Sequence, residues 1–416
     1  MVSALVTWQQ PRAVHRRAAH VPLGAFLGSG PEGVARVARF ERWLGSTVTV
    51  GRTYLPGDDW AAVEGPRRML AAWAHWKAAD QRRMLVLNVP MMAPNEAGIP
   101  VPVLASLLRG GERGAFDHHY RTLARRLVSL GAGDTVIVLG WEMNGEVYAG
   151  RCAPDPSAWK AYWRRIVHTM RAVRGARFRF DFAPSRGADA IPWTDCYPGD
   201  DVVDIMGSDS YDQPEGKSFK YFVEEPYGLR AQAEFAAAHG KPLSFPEWGL
   251  FRNSDNPAYV RGMHDWIMSH DVAYQTITDY CPHGVWSCGG GNPRSSAAYR
   301  ELFGGVTAPA PPGTGPFTPA PAASPPAAAS PAETPPAETP PAETPAAENS
   351  PAAPAGRPSA KPPARPPVRP VTPSRPPWTG PPATVRASTR ASAGVSPNPA
   401  TSRVTAARTA AVRPMS

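Results

Sequence analysis

The sequence predicts a (β/α)8 barrel, an α/β fold of the TIM type, followed by a Pro/Ala-rich tail. Two observations support this fold: eight short apolar runs alternate with helical patterns, and the region that contains them has about 285 residues. Strands that alternate with helices form right-handed βαβ units around a parallel sheet. Eight such units in this length favour a closed barrel over an open sheet. No G-x-G-x-x-G follows the first strand, so the dinucleotide-binding fingerprint is missing.

The predicted strands are short runs rich in β-branched residues, and the predicted helices carry apolar residues at helical spacing. The strands are expected at 22–27, 46–50, 84–89, 135–139, 178–182, 202–206, 242–245 and 272–278. The helices are expected at 31–44, 66–79, 115–130, 156–173, 226–239, 257–269 and 292–303. Residues 90–113 are interpreted as one long loop, a length that is usually functional in a compact domain.

Composition divides the 416 residues into three segments. Residues 1–20 are expected to be an unstructured leader, 21–306 the barrel domain, and 307–416 a disordered tail. The tail holds 30 of the 51 prolines and repeats PAETP, a composition that cannot bury a core. Because Pro-rich chains are extended and semi-rigid, the tail is interpreted as a spacer or tether.

The net charge of +9 comes mainly from the tail, which has ten Lys and Arg residues and four Glu. The barrel region is therefore only weakly basic, and we expect no nucleic-acid partner. The tail is interpreted as a solvated basic segment, with adhesion to an acidic cell wall as the alternative. No apolar run has the length of a transmembrane helix, so no membrane span is expected.

The stretch Thr135–Gly145, TVIVLGWEMNG, is the centre of the functional prediction. A buried strand ends there in Trp141, Glu142 and Asn144, at the end where barrel enzymes place their chemistry. A second stretch, PLSFPEWG, places Glu247 at the end of another strand. A strand-end glutamate taken alone is more often a surface or salt-bridged carboxylate. Two of them in an eight-unit barrel favour catalysis.

A retaining glycosidase needs two carboxyl groups, which lie about 5–5.5 Å apart. One glutamate must be a proton donor with a raised pKa, and the other must stay ionised. Aromatic neighbours such as Trp141 and Tyr148 are expected to raise the pKa of Glu142 by desolvation. This chemistry needs no metal and no organic cofactor.

The strand-end motifs WEMNG and PEWG resemble those of glycoside hydrolase family 26, the β-mannanase-like family of a retaining (β/α)8 clan. The resemblance extends from about Leu23 to Gly304. It includes the segments FDHHYRTLARRL, YWRRIVHTMRAV, DIMGSDSYD and NPRSSAAYRELFG. It implies hydrolysis of a β-linked polysaccharide by double displacement, with β-1,4-mannan as the expected substrate. Other β-glucans and xylans are the alternative substrates, and the sequence does not decide between endo and exo action.

The resemblance also implies residue roles. Glu142 would be the acid/base, Glu247 the nucleophile, and Tyr211 a hydrogen-bond donor to the nucleophile. The aromatic floor of the sugar site would be Trp286 or Tyr280, and the spacing does not decide between them. The candidate substrate-binding residues are Trp141, Asn144, Tyr148, Tyr211, Trp286, Tyr280 and Arg52.

The chain departs from the family pattern at three positions near the acid/base. Trp141 stands where the family commonly has His, Val138 where it has Arg, and Val147 where it has an aromatic residue, with Tyr148 next. Arg52, at the end of the second strand, could orient the nucleophile or form a structural ion pair. The changed positions motivate an alternative function, a non-catalytic carbohydrate-binding or cell-wall-associated barrel. A third interpretation is a spacer or adhesion protein that carries the barrel as cargo.

The four cysteines, Cys152, Cys196, Cys281 and Cys288, all lie in predicted loops, and none has the C-x-x-C spacing of a metal site. An even number suggests two disulfides in an exported protein, although four free thiols are the alternative. Three connectivities are available, of which Cys152–Cys196 with Cys281–Cys288 is favoured. We therefore expect an extracellular or cell-surface protein. No clear signal peptide is present, which a misassigned start codon would explain.

Overall fold

A computed structural model describes residues 21–251, 254–288 and 290–305 of the chain. Eight parallel strands close into a barrel in the order of the sequence. They are β1 (Leu23–Phe26), β2 (Val50–Tyr54), β3 (Met84–Val89), β4 (Val136–Leu139), β5 (Arg179–Phe182), β6 (Ile205–Tyr211), β7 (Leu243–Gly249) and β8 (Val272–Thr278). The predicted fold class is thus confirmed for the barrel. The predicted leader, 1–20, and the predicted tail, 307–416, lie outside the described residues.

Helices surround the barrel and pack their apolar faces against it. They are α1 (Pro31–Leu44), α2 (Trp60–Val63), α3 (Arg67–Ala78), α4 (Val101–Glu112), α5 (Asp117–Ser129), α6 (Pro156–Arg171), α7 (Phe219–Glu224), α8 (Leu229–Ala238), α9 (Pro257–Ser269) and α10 (Pro293–Phe303). Helix α6 shows why such segments fold locally, since Asp155 caps its first turn by accepting from the Ala158 N–H. Trp159 and Trp163, one helical turn apart, are both fully buried.

The core has two parts. The larger cluster lies between the helices and the outer face of the barrel. A smaller cluster fills the barrel interior and includes Val50, Val86, Val136, Val138 and Tyr274. Among the described residues no helix has the length and apolarity to cross a membrane.

Two predicted strands are wrong in their bounds. The second strand was expected at 46–50 and lies at Val50–Tyr54, while the sixth was expected at 202–206 and lies at Ile205–Tyr211. Both true strands contain buried polar residues that point into the barrel mouth, such as Arg52 and Asp209. An apolar-run criterion misses them because this part of the barrel interior is charged.

The predicted long loop at 90–113 is also wrong, because it contains helix α4. The Gly110–Gly111 pair favours a loop in sequence terms. In the fold, a β-carbon at Gly111 would lie 2.5 Å from the ring of Tyr162. The glycine therefore permits close packing of α4 on α6. The helix expected at 226–239 corresponds to α8. It begins after Tyr227, whose positive φ of 59° is not a helical conformation.

Candidate active site

The carboxyl ends of the strands bring the two predicted catalytic glutamates to the same barrel mouth. Glu142 follows β4 directly, with φ at 51°, a left-handed conformation that is uncommon for a non-glycine residue. Its backbone N–H donates to the Ala183 carbonyl at 2.8 Å. Glu247 lies inside β7, where its Cα is in register with that of Asp209 on β6. The backbone is left-handed at Glu142 and lies at a register shift between β7 and β8 at Glu247, so neither glutamate sits in regular structure.

Glu247 is held by a cation and by hydrogen-bond donors. Its Oε1 forms an ion pair with Nη2 of Arg52 at 2.6 Å, and the Arg52 side chain is fully buried. The Tyr211 hydroxyl donates to Oε2 of Glu247 at 2.9 Å. The Asn88 amide donates to Oε1 at 3.5 Å. Both oxygens of the Glu247 carboxylate thus have a donor, and one of these donors is charged.

Arg52 is itself fixed by neighbouring strands. Its Nε donates to the Asn88 side-chain oxygen at 3.3 Å, and Nη2 also bonds the Tyr54 hydroxyl. Burial lowers the pKa of Arg52, but the charges of Glu247 and its neighbours offset this, and the pKa lies above its ordinary value. Arg52 therefore stays charged beside Glu247. The two sequence interpretations of Arg52 describe one contact, since its ion-pair partner is the predicted nucleophile.

The surroundings of Glu142 have the opposite character. Burial, with the charges of Glu247 and Asp189 adding to it, raises the pKa of Glu142 to about 8, although Arg52 opposes the shift. The carboxyl group is therefore protonated at neutral pH. A protonated glutamate close to an ionised one is the pairing that acid catalysis of glycosyl transfer requires.

A third carboxyl group, that of Asp209, lies buried in the same mouth. It is 3% exposed, and neither of its oxygens has a hydrogen-bond partner among the described residues. Burial, together with the charges of Glu247 and Glu142, raises its pKa well above the ordinary value. Ionisation of Asp209 is therefore disfavoured in the free protein.

A cleft of about 740 Å³ opens over this mouth. It is lined by Glu247 and by residues that follow β1, β2, β3, β4 and β8, among them the aromatic residues Phe26, Tyr54, Trp141, Tyr148 and Tyr280. A wall that combines apolar and aromatic side chains with a few polar groups is typical of ligand sites. The carboxylates Asp58 and Glu96 also belong to its lining.

The structure separates the two candidates for the aromatic floor. Tyr280 lines the cleft and is 45% exposed. Trp286 is absent from the cleft lining and packs against the Phe40 ring at 5.8 Å, with Arg36 over its own ring. Tyr280 is therefore the residue of this pair that a ligand in the cleft would meet.

Asn144 was predicted to bind substrate, and the structure does not support this. Its side chain is fully buried, its amide nitrogen donates to the Ser185 carbonyl at 3.1 Å, and its oxygen accepts from the Ser185 N–H at 2.9 Å. Since both ends of the amide bind backbone, Asn144 joins the loop after β4 to the loop after β5. It supports the site without facing the cleft.

Both disulfides have the pairing favoured from the sequence. Cys152 is joined to Cys196, in the short 3-10 helix Trp193–Cys196, and Cys281 is joined to Cys288. The second bridge closes the loop that follows β8 and Tyr280. The prediction of two disulfides is thus confirmed, and the described residues contain no free thiol.

Sequence reasoning missed several members of the site. They are Tyr54, Asn88, Asp209 and Thr278. Asn88 was detectable in principle, because it is the only polar residue in the run MLVLNV of β3. Asp209 lies in DSYD, two residues before the predicted Tyr211, and the same alternation directs both side chains inward. Among the described residues, no group of three or more His, Cys, Asp or Glu is arranged to hold a metal ion.

Comparison with protein families links this geometry to a known class. The family model described as Glycosyl hydrolase family 26 matches residues 136–244. The matched stretch includes Glu142, Asp209 and Tyr211 and ends just before Glu247. It confirms the resemblance that the strand-end motifs suggested and the assignment to the glycosidases. No curated protein sequence matches the chain.

Solved structures share the fold. A mannanase from Bacillus subtilis, man26, has a TM-score of 0.51 and 16% sequence identity, covering 70% of this chain and 87% of that one. A GH26 β-mannanase from Bacteroides ovatus also has a TM-score of 0.51, with 15% identity, 68% of this chain and 88% of that one. At these identities the likeness supports the barrel architecture and leaves the substrate to other arguments.

Proposed function

We propose that this glycosidase of the family 26 type is a retaining enzyme that cleaves β-1,4-mannan within the polymer. The observation that carries the mechanism is the contrast between the two glutamates. Glu247 is ion-paired to Arg52 and hydrogen-bonded by Tyr211, whereas burial and negative neighbours raise the pKa of Glu142 to about 8. The first glutamate is suited to attack and the second to donate a proton.

In the first step, an oxygen of Glu247 attacks the anomeric carbon. The glycosidic C–O bond breaks, and the Glu142 proton passes to the leaving oxygen, which departs as an alcohol. The product is a glycosyl ester on Glu247. Tyr211 stays protonated, because burial and the charge of Glu247 raise its pKa well above the ordinary value. Its hydrogen bond can therefore hold the attacking carboxylate in place.

In the second step, Glu142 is ionised and takes a proton from water while the water oxygen attacks the anomeric carbon. The ester bond to Glu247 breaks, and the sugar is released with its original anomeric configuration. Loss of the ester returns the negative charge to Glu247 beside Arg52. The buried guanidinium thus stabilises the state at the start and the end of each cycle.

Substrate class is inferred from the cleft and from the relatives. The neighbours named above are described as mannanases. The cleft has aromatic surface for sugar faces and carboxylates for hydroxyl groups, and a volume of about 740 Å³ that accommodates several sugar units. These features support a neutral polysaccharide as the ligand.

A polysaccharide panel tests the proposal. We would incubate the full chain with mannan, glucomannan, lichenan, β-1,3-xylan and cellulose and measure released reducing ends. Wild type should cleave mannan, and Glu247→Ala should lower the rate by more than about 10⁴-fold. The control is Glu234→Ala, an exposed carboxylate on α8, which should keep full activity. Cleavage of another polymer alone would replace the substrate assignment.

The non-catalytic alternative is favoured by one observation. Val138 and Trp141 occupy positions where the family commonly carries Arg and His, and both lie in the apolar interior cluster. If wild type binds one polymer of the panel but cleaves none, the carbohydrate-binding function replaces the proposed one.

We also propose an extracellular or cell-surface location, which two disulfides support. The basic tail would retain the enzyme on an acidic cell wall. Deleting residues 307–416 should leave hydrolysis of soluble substrate unchanged and reduce retention on cells. Fractionation of cells that express the full chain tests the location, and an intracellular pool alone would contradict it.

A further inference from the structure

We infer that Arg186, paired with Glu225, is a positioning residue for the nucleophile Glu247, on which it acts through Tyr211. This inference rests on the proposed function, because it assigns part of the same catalytic apparatus. Arg186 lies in the loop after β5 and is absent from the lining of the cleft. Its role is therefore argued from the strand end that it holds.

Arg186 binds the last residues of β6 from one side. Its backbone N–H donates to the Asp209 carbonyl at 3.0 Å, and its Nε donates to the Ser210 hydroxyl at 3.1 Å. Its Nη2 donates to the Tyr211 carbonyl at 2.9 Å and to the Gln213 carbonyl at 2.6 Å. One side chain thus fixes three points over four consecutive residues, with Tyr211 at their centre.

The guanidinium is held in turn by the segment around α7. Nη1 of Arg186 forms an ion pair with Glu225, in which the side chains are 4% and 11% exposed. The guanidinium carbon lies 4.2 Å from the centre of the Phe222 ring, a cation–π contact. A buried charge of this kind is retained only when it is paired and hydrogen-bonded. Arg186 is therefore held between the end of β6 and this segment.

Tyr211 contacts both Arg186 and the nucleophile Glu247. Its carbonyl is bound by Arg186, while its hydroxyl donates to Oε2 of Glu247 at 2.9 Å and contacts the Thr278 hydroxyl at 2.9 Å. A shift of Tyr211 would move the hydrogen bond that directs one carboxylate oxygen. A displacement of about 1 Å in a reacting group costs about 100-fold in rate.

The role requires arginine rather than any cation. The planar fork binds the Ser210 hydroxyl, two carbonyls and a carboxylate at once, whereas lysine offers one point charge. Arg186→Lys therefore keeps the charge beside Glu225 but loses most of the fixed directions. Glu225→Gln is the milder change, since it leaves the arginine and removes only its counter-charge.

The test measures the full chain on 2,4-dinitrophenyl β-mannobioside, whose leaving group needs little help from Glu142. We expect Arg186→Lys to lower kcat about 100-fold with KM changed less than about threefold. Glu225→Gln should lower kcat about tenfold. In Arg186→Lys combined with Tyr211→Phe, kcat should be no lower than in Tyr211→Phe alone, because both changes remove one connected function.

Arg164→Lys is the matched control, because Arg164 makes a two-point pair with Asp201 on the outer face of the barrel. It should retain wild-type kcat. If the Arg186 and Tyr211 effects multiply in the double variant, or if kcat is unchanged in both Arg186→Lys and Glu225→Gln, the inference is wrong. Should Arg186→Lys fail to fold, Glu225→Gln and its combination with Tyr211→Phe decide the same question. Absence of hydrolysis by wild type on this substrate and the polysaccharide panel overturns the proposed function and the inference with it.

Discussion

Glu247 and Glu142 lie at the same barrel mouth but have neighbours of opposite charge. Around Glu247 the strands β2, β3 and β6 supply a buried cation, Arg52, and two hydrogen-bond donors, Asn88 and Tyr211. Around Glu142 there are burial, the charge of Glu247 and the charge of Asp189, which lies in the loop after β5. The same residue type thus lies beside a buried cation in one place and among negative charges in the other. The chemical role is decided by the neighbours and not by the glutamate itself.

Among the variants that keep Glu247, the largest effect should come from replacing Glu142. Glu142→Ala is expected to lower kcat on mannan by about 10³- to 10⁴-fold, since a positioned general acid contributes that much. On 2,4-dinitrophenyl β-mannobioside, formation of the glycosyl ester should be nearly unchanged, because that leaving group needs no proton. Pre-steady-state measurement of released dinitrophenol checks this. An equal loss with both substrates in this step would mean that Glu142 is not the acid.

Replacing Arg52, the cation beside Glu247, should have the second-largest effect on kcat. Arg52→Lys keeps a positive charge but loses the guanidinium geometry that reaches Glu247, Asn88 and Tyr54 together. We expect kcat to fall about 100-fold, with a smaller change in KM. Steady-state kinetics beside circular dichroism separates this from unfolding. Wild-type kcat in the variant would show that Arg52 has only a structural role.

The difference between the surroundings of the two glutamates also predicts how kcat/KM depends on pH. Glu142 must be protonated to act as acid, and its pKa is about 8 in the folded protein. Below that value the acid is present, and above it kcat/KM should fall about tenfold per pH unit. The alkaline limb should be absent in Glu142→Ala measured with the activated substrate. A limb that stays at the same pH in the variant would belong to another group.

The smallest effect should come from the cleft wall. Tyr280→Ala removes an exposed ring that lines the cleft and packs edge-on against Phe26 and His283. We expect KM for mannan to rise about fivefold, equivalent to about 1 kcal/mol of lost ring contact, while kcat stays near wild type. Trp286→Phe, a change outside the cleft lining, is the control. A larger KM effect at Trp286 would reverse the choice between the two aromatic residues.

The sequence by itself determined the barrel, because the eight-fold alternation of apolar strands and helices is a local pattern that leaves one compact solution. It also indicated Glu142 and Glu247, since each follows a recognisable apolar run in the sequence. The favoured cysteine pairing was correct as well. These results depend on residues that are close in the chain or on repeated periodicity.

Only the tertiary structure decided which residues surround each glutamate. Arg52, Asn88 and Tyr211 come from three different strands and meet at Glu247 because the barrel closes. The bounds of β2 and β6 were wrong for the same reason, since their inward polar residues are stabilised only by partners on other strands. Asn144 is the opposite case. Its position near Glu142 in the sequence suggested a substrate-binding residue, but its amide binds the backbone of Ser185. Contacts between distant segments set burial and charge, and local sequence cannot specify them.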